Sequence, residues 1–134
     1  MRLEVTRKSD LALQALHFLN TNHTRVKGTE LAAAIDSTPG FLSQVLNPLV
    51  RNGWVRSDPG PSGGYSLIVS VDDISILQVI EAVEGPTSTG RCVLADRPCD
   101  AQGVCAMHFP WTKARTQLLS ELDSMSVADL LQPS

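Results

Sequence analysis

The stretch that decides the fold runs from Thr29 to Gly53 and reads TELAAAIDSTPGFLSQVLNPLVRNG. It holds two short helical patterns around a tight break. Glu30 to Ile35 is an apolar helical run, and Thr29 stands where a helix cap belongs. Asp36-Ser37-Thr38-Pro39-Gly40 interrupts it with turn formers. Thr38 can cap the second helix. Pro39 suits the first helical position, where its missing N–H would be unpaired anyway. Phe41, Leu42, Val45, Leu46 and Leu49 recur at three- and four-residue steps and form one apolar face. Asn52-Gly53 ends the helix, with Gly53 suited to a left-handed closing position. Pro48 cannot donate to the carbonyl of Gln44, so a kink is expected near Asn47.

Working outward, Trp54 to Ser57 and Tyr65 to Val69 are β-like runs. Asp58-Pro59-Gly60-Pro61-Ser62-Gly63-Gly64 lies between them, and the whole reads as a hairpin with a long tip. Upstream, residues 6–20 carry Leu11, Leu13, Leu16, Phe18 and Leu19 on a well-buried helix. A helix, a helix-turn-helix and a hairpin in this order make a winged helix-turn-helix, a fold that puts one helix into the DNA major groove. Downstream, Ser75 and Gln78 have capping-box spacing ahead of Ile76, Val79, Ile80 and Val83, and Gly85-Pro86 stops that helix. Residues 87–108 lose periodicity. Trp111, Leu118 and Met125 then recur every seven residues beside Ala114 and Leu122. This predicts a long helix near 109–125 with a narrow apolar stripe, followed by a short turn capped at Ser126.

The 134 residues amount to about one domain. A hydrophobic share of 43% against 19% charged excludes a disordered chain. No apolar run approaches the roughly 20 residues that span a bilayer. Met1-Arg2-Leu3-Glu4-Val5 lacks the apolar stretch of a signal peptide. The expectation is a cytoplasmic protein with no membrane partner, in a compartment where three cysteines suit metal or redox chemistry better than a disulfide frame. Charge is uneven. Residues 1–57 hold seven basic and four acidic side chains, residues 58–134 four basic and ten acidic. A basic head on an acidic remainder fits a DNA reader with a separate regulatory part.

On the third helix Ser43, Gln44 and Asn47 are candidate base readers, since glutamine can bond adenine through two hydrogen bonds. Thr38 and the N–H groups at the helix start could hold a phosphate. Arg51 and Arg56 are candidate phosphate contacts, and Gly63 and Gly64 would let the wing backbone approach the minor groove. With Phe41 at the head of the reading stretch, these residues form the predicted interface with double-stranded DNA. A winged helix that packs only on protein is the plainer alternative, and the basic excess on the same segment favours DNA.

Cys92, Cys99, Cys105 and His108 form the pattern C-x6-C-x5-C-x2-H. The wide gaps lack the C-x2-C knuckle of zinc fingers and the C-x-x-C of thioredoxin-type dithiols. Three soft thiolates among polar neighbours suit an iron–sulfur cluster. The fourth ligand is open. His108 lies three residues past Cys105, and Asp10, near the start of the first helix, could approach from a second subunit. A surface histidine and a helix-start acid are the commoner uses of these two residues. No base–nucleophile motif supports an enzyme with a reactive thiol, although His17, His23 and His108 are present, so no small-molecule substrate is expected.

Met1-Arg2-Leu3, Phe41-Leu42-Ser43-Gln44-Val45-Leu46, Gly60-Pro61-Ser62-Gly63-Gly64-Tyr65 and the cysteine segment together resemble the iron–sulfur regulators of the IscR/NsrR type, over nearly the whole chain. The resemblance implies a mainly α fold with a small β-hairpin, a winged helix-turn-helix plus a long C-terminal dimerisation helix. The organisation would be 1–70 for DNA binding, 71–90 for a connecting helix, 91–108 for the cluster, and 109–134 for the dimerisation helix and final turn. It also implies a homodimeric repressor or activator on a palindromic operator, with a cluster on Cys92, Cys99 and Cys105 answering nitric oxide, redox state or iron supply. Cys105-Ala106-Met107-His108 with Trp111 is similar to the IscR branch, whose histidine binds a [2Fe–2S] cluster, the form placed first here. Asp10-Leu11-Ala12-Leu13 is similar to the NsrR branch, whose aspartate completes a [4Fe–4S] cluster. The first cysteine gap is one residue longer than in either branch, and Pro59 stands where a wing arginine is usual. The alternative is a zinc-stabilised winged-helix DNA-binding or adaptor protein without redox sensing.

Overall fold

The structure, a computed structural model, describes residues 3–87 and 105–131. Helix α1 spans Arg7–Thr21, α2 Gly28–Ala34 and α3 Pro39–Arg51; strands β1 (Val55–Asp58) and β2 (Gly64–Leu67) follow. A 3-10 turn at Val71–Asp73 leads to α4 (Ile76–Glu84), and α5 (His108–Ser124) and α6 (Val127–Leu131) complete the described chain. The fold is the expected winged helix-turn-helix with a helical C-terminal part.

Helix α1 is the centre of the core. Thr6 caps it, its hydroxyl oxygen accepting from the Ser9 N–H at 3.2 Å. Leu11, Ala12, Ala15 and Leu16 are all at 1% exposure or less, because α2, α3, α4, α6 and β2 surround the helix. Leu42, Val45, Leu46 and Leu49 of α3 are buried against it, as their spacing predicts. Burying such side chains contributes roughly 1.5–3 kcal/mol each before entropy is counted.

Two sequence expectations shift. The second helix starts at Gly28 with Lys27 at its cap and no side-chain cap bond, so Thr29 lies inside the first turn and does not cap. The cause is distant in sequence. Val26 pairs with Tyr65 of β2 through backbone hydrogen bonds of 2.9 and 2.8 Å, which fixes where the chain is released into the helix. Pro48 is buried inside α3, and the helix continues past it to Arg51. The first strand sits one residue later than expected, at Val55–Asp58, and the second starts one residue earlier and ends two earlier, at Gly64–Leu67, paired in antiparallel register from Val55↔Leu67 to Asp58↔Gly64.

The turn between α2 and α3 is closed by Asp36 with φ 54°, a left-handed conformation that aspartate tolerates better than most residues. Thr38 caps α3 by accepting from the Phe41 N–H at 3.2 Å, with Pro39 in the first turn. Ser75 and Gln78 form the expected capping box on α4. The chain returns to the head at its far end. Ile76 N–H donates to Met125, Val127 N–H to Ile74, both at 2.8 Å, and Val127 is fully buried. Ser126 and Asp129 cap α6 reciprocally. Helix α5, by contrast, has no buried residue along its 17 positions.

Candidate nucleic-acid interface and cysteine segment

The buried stripe of α3 fixes what faces outward. Ser43, Gln44, Asn47 and Arg51 are exposed on the side of α3 opposite Leu42, Val45, Leu46 and Leu49. A helix presented this way can lay amide and hydroxyl groups along base edges. Phe41 is half-buried and packs on the core. The hydroxyl oxygen of Thr38 is engaged in capping, which leaves its proton for a phosphate oxygen.

Between α3 and the wing lies an open cleft of about 420 Å³, bordered by Lys27, Thr29, Ser43, Asp58 and the wing glycines. Arg56 is exposed on β1, and its Nε donates to Asp58 Oδ1 at 3.2 Å. Arg25 reaches the same carboxylate, Nη1 to Oδ2, at 3.6 Å. Sequence reasoning counted Arg25 and Lys27 only as charge and read Asp58 only as a turn former. The cross-strand bridge that assembles them spans 39 positions, from Val26 to Tyr65, and no local signal reports it.

The wing glycines have an internal explanation. A Cβ on Gly63 would lie 2.0 Å from the Asp58 carbonyl oxygen. One on Gly64 (φ 148°) would lie 2.4 Å from that of Val26. Both are required by the wing's own backbone, whatever docks on it.

Of the metal candidates, Cys105, His108 and Asp10 lie among the described residues, whereas Cys92 and Cys99 fall outside them. The His108 N–H donates to the Cys105 carbonyl at 3.0 Å, so these two residues share one turn at the start of α5. The His108 ring sits edge-on to Phe109. Asp10 is exposed in the first turn of α1 and accepts from Gln14 Nε2 at 3.1 Å. It borders a shallow recess with Val5, Arg7, Leu13 and Leu130. Among the described residues, no three His, Cys, Asp or Glu side chains gather closely enough to hold a metal ion. Three thiols and an imidazole are nevertheless a soft donor set that fits an iron–sulfur group.

One cluster was not foreseen. Glu84, the last residue of α4, places Oε2 against the Thr6 N–H at 3.3 Å, the Thr6 hydroxyl at 3.0 Å and the Ser9 hydroxyl. Ser9 is fully buried. A carboxylate on the N-terminus of α1 opposes the positive end of the helix dipole and satisfies its leading donors. The segment that carries the cysteines therefore begins at a point stapled to the central helix of the head.

Comparison with known proteins agrees with this architecture. The Rrf2 family, described as an iron-dependent transcriptional regulator, matches residues 5–133. A protein of Azotobacter vinelandii named as an HTH-type transcriptional regulator, ORF2, is 33% identical over 99% of this chain and 77% of its own. The regulator NsrR of Geobacillus kaustophilus is 28% identical over 97% of this chain and 90% of its own. The regulator IscR of Aliivibrio salmonicida is 31% identical over 68% of this chain and 54% of its own. Among solved structures, CymR, named the global cysteine regulator of B. subtilis, superposes with a TM-score of 0.75 at 27% identity, covering 96% of each chain. These relatives are transcriptional regulators, a non-enzymatic class. No helix among the described residues is long and apolar enough to cross a membrane.

Proposed function

The chain belongs to the Rrf2 family of iron-dependent transcriptional regulators, and from that premise we propose a homodimer whose hold on a palindromic operator is set by an iron–sulfur group on Cys92, Cys99 and Cys105. The observation that carries the reading is how the cysteine segment is tied in. It leaves α4 at Glu84, bonded to the cap of α1, and enters α5 on the turn shared by Cys105 and His108. A change in its length or shape pulls on both the head and the long helix.

Each element has a part. Helix α3 presents Ser43, Gln44 and Asn47 to base edges. Thr38, Arg51 and Arg56 hold phosphates, and the wing lies over the neighbouring groove. Helix α5 supplies the dimer contact. Leu118 is 48% exposed on the face it shares with Trp111 and Leu122, and among the described residues α5 meets its own chain only at partly buried positions such as Leu122; such a stripe gains by pairing with a second copy. Two heads must then meet half-sites about one DNA turn apart, so a small rotation about α5 weakens binding. When bound, the cluster supplies a centre that nitric oxide, oxygen or iron loss can alter. His108, on the turn of Cys105, is the fourth ligand this arrangement favours, and with it a [2Fe–2S] group; Asp10 of a second subunit is the competing one.

The likeness to CymR supports a second reading, in which the same head answers a different signal. The three thiols of the cysteine segment favour the cluster. The test is protein purified without air. The expected product is brown, holds iron and sulfide in equal amounts, and loses both in Cys99→Ala. A colourless protein with one zinc per chain overturns the proposal in favour of a zinc-stabilised regulator.

A further inference from the structure

We propose that Asp58 is an internal competitor for DNA phosphate, occupying Arg25 and Arg56 in the free protein so that weak, sequence-independent binding is held down. The inference rests on the DNA-binding reading and extends it to specificity.

The arrangement is built by backbone. Arg56 and Asp58 are two residues apart on β1, so their side chains leave the same face of the strand. Arg25 precedes Val26, which is locked to Tyr65 of β2 by a pair of hydrogen bonds. Strand β2 in turn pairs with β1, Gly64 opposite Asp58. Two backbone segments, β1 and the stretch at Arg25-Val26, are thus held together through β2 and bring two arginines to one carboxylate. The carboxylate is the inner group, at 22% exposure, and the arginines are outer, at 46% and 67%. Asp58 also borders the cleft between the wing and the start of α3, together with Lys27 and Ser43.

A guanidinium uses the same N–H groups for a carboxylate and for a phosphate. On the free protein those of Arg25 and Arg56 face Asp58. A phosphate that takes them must do so beside a remaining like charge, which costs affinity on every sequence alike. Only sites where α3 gains base contacts recover the loss. Exposed pairs of this kind are weak, so the exchange is readily made and does not lock the wing. Pro59 fits this picture, because the neighbouring wing position offers no cation that could bypass Asp58.

The experiment is a salt titration of a 25-base-pair duplex of random sequence, read by fluorescence anisotropy, with the full chain and its Asp58→Asn variant. The expected result is severalfold tighter binding by Asp58→Asn at ~100 mM salt. The slope of log K against log salt should be steeper by about one, the value for each added phosphate contact. Adding Arg25→Ala and Arg56→Ala to that variant should return the slope to the wild-type value or below. Asp58→Ser, equally uncharged, must reproduce the slope of Asp58→Asn, which separates charge from any distortion of the wing. Weaker or unchanged binding by both uncharged variants would show that Asp58 merely positions the arginines, and the proposal falls. Absence of salt-dependent binding to any duplex by wild type and variants alike would instead sink the DNA reading itself.

Discussion

Helices α1 and α5 are similar in length, 15 and 17 residues, and opposite in circumstance. Seven residues of α1 are buried, and five elements of the same chain surround it. None of α5 is buried. One helix is enclosed by its own chain; the other, among the described residues, keeps an exposed side at Leu118, the side that the proposed dimer would cover. Under the proposed function the difference separates two jobs: the head that reads DNA must keep one shape, while the arm proposed to join two heads must be able to take more than one arrangement.

That comparison can be broken at several points. The largest effect is expected in α1. Leu16→Ala removes a fully buried side chain and should cost about 2–5 kcal/mol, visible as a steep fall in the melting temperature of the whole domain. Leu118→Glu on α5 should leave the circular dichroism of the head unchanged while sedimentation shifts from dimer to monomer. Operator affinity should drop by roughly 10²-fold or more as the two heads lose their linkage. A head that unfolds with this change would mean that α5 is part of the core after all. Ser9→Ala removes one hydroxyl from the Glu84 staple and should cost about 1–2 kcal/mol. Its sharper signature is a weakened response of DNA binding to cluster removal, since the staple joins the two regions. The smallest effect on folding is expected from Arg51→Ala, within about 0.5 kcal/mol. It should lower the salt slope of DNA binding by about one.

The contrast also explains what the sequence made legible. The helix-turn-helix was readable because its determinants are short-range: Thr38-Pro39 at one end of α3, Gly53 beyond the other, and four- and three-residue steps between. The Ser75–Gln78 capping box was readable for the same reason. Thr29 misled because the start of α2 is dictated by Tyr65, far along the chain. Glu84 was invisible because its partners lie 75 and 78 residues away, and a glutamate before Gly85-Pro86 looks like any helix-end acid. The Arg25–Asp58–Arg56 arrangement needed the same cross-strand bridge. Of the proposed cluster site, the sequence supplied the donor types and their order, and the structure adds the shared turn of Cys105 and His108. Cys92 and Cys99 lie outside the described residues.

The switch itself is tested most directly by one anaerobic titration. Cluster-loaded and metal-stripped protein are each bound to the same duplex, selected from a random pool, and their dissociation constants compared at fixed salt. A difference of about tenfold or more, equivalent to about 1.4 kcal/mol of coupling, is the predicted result. Equal constants for the two forms would contradict it.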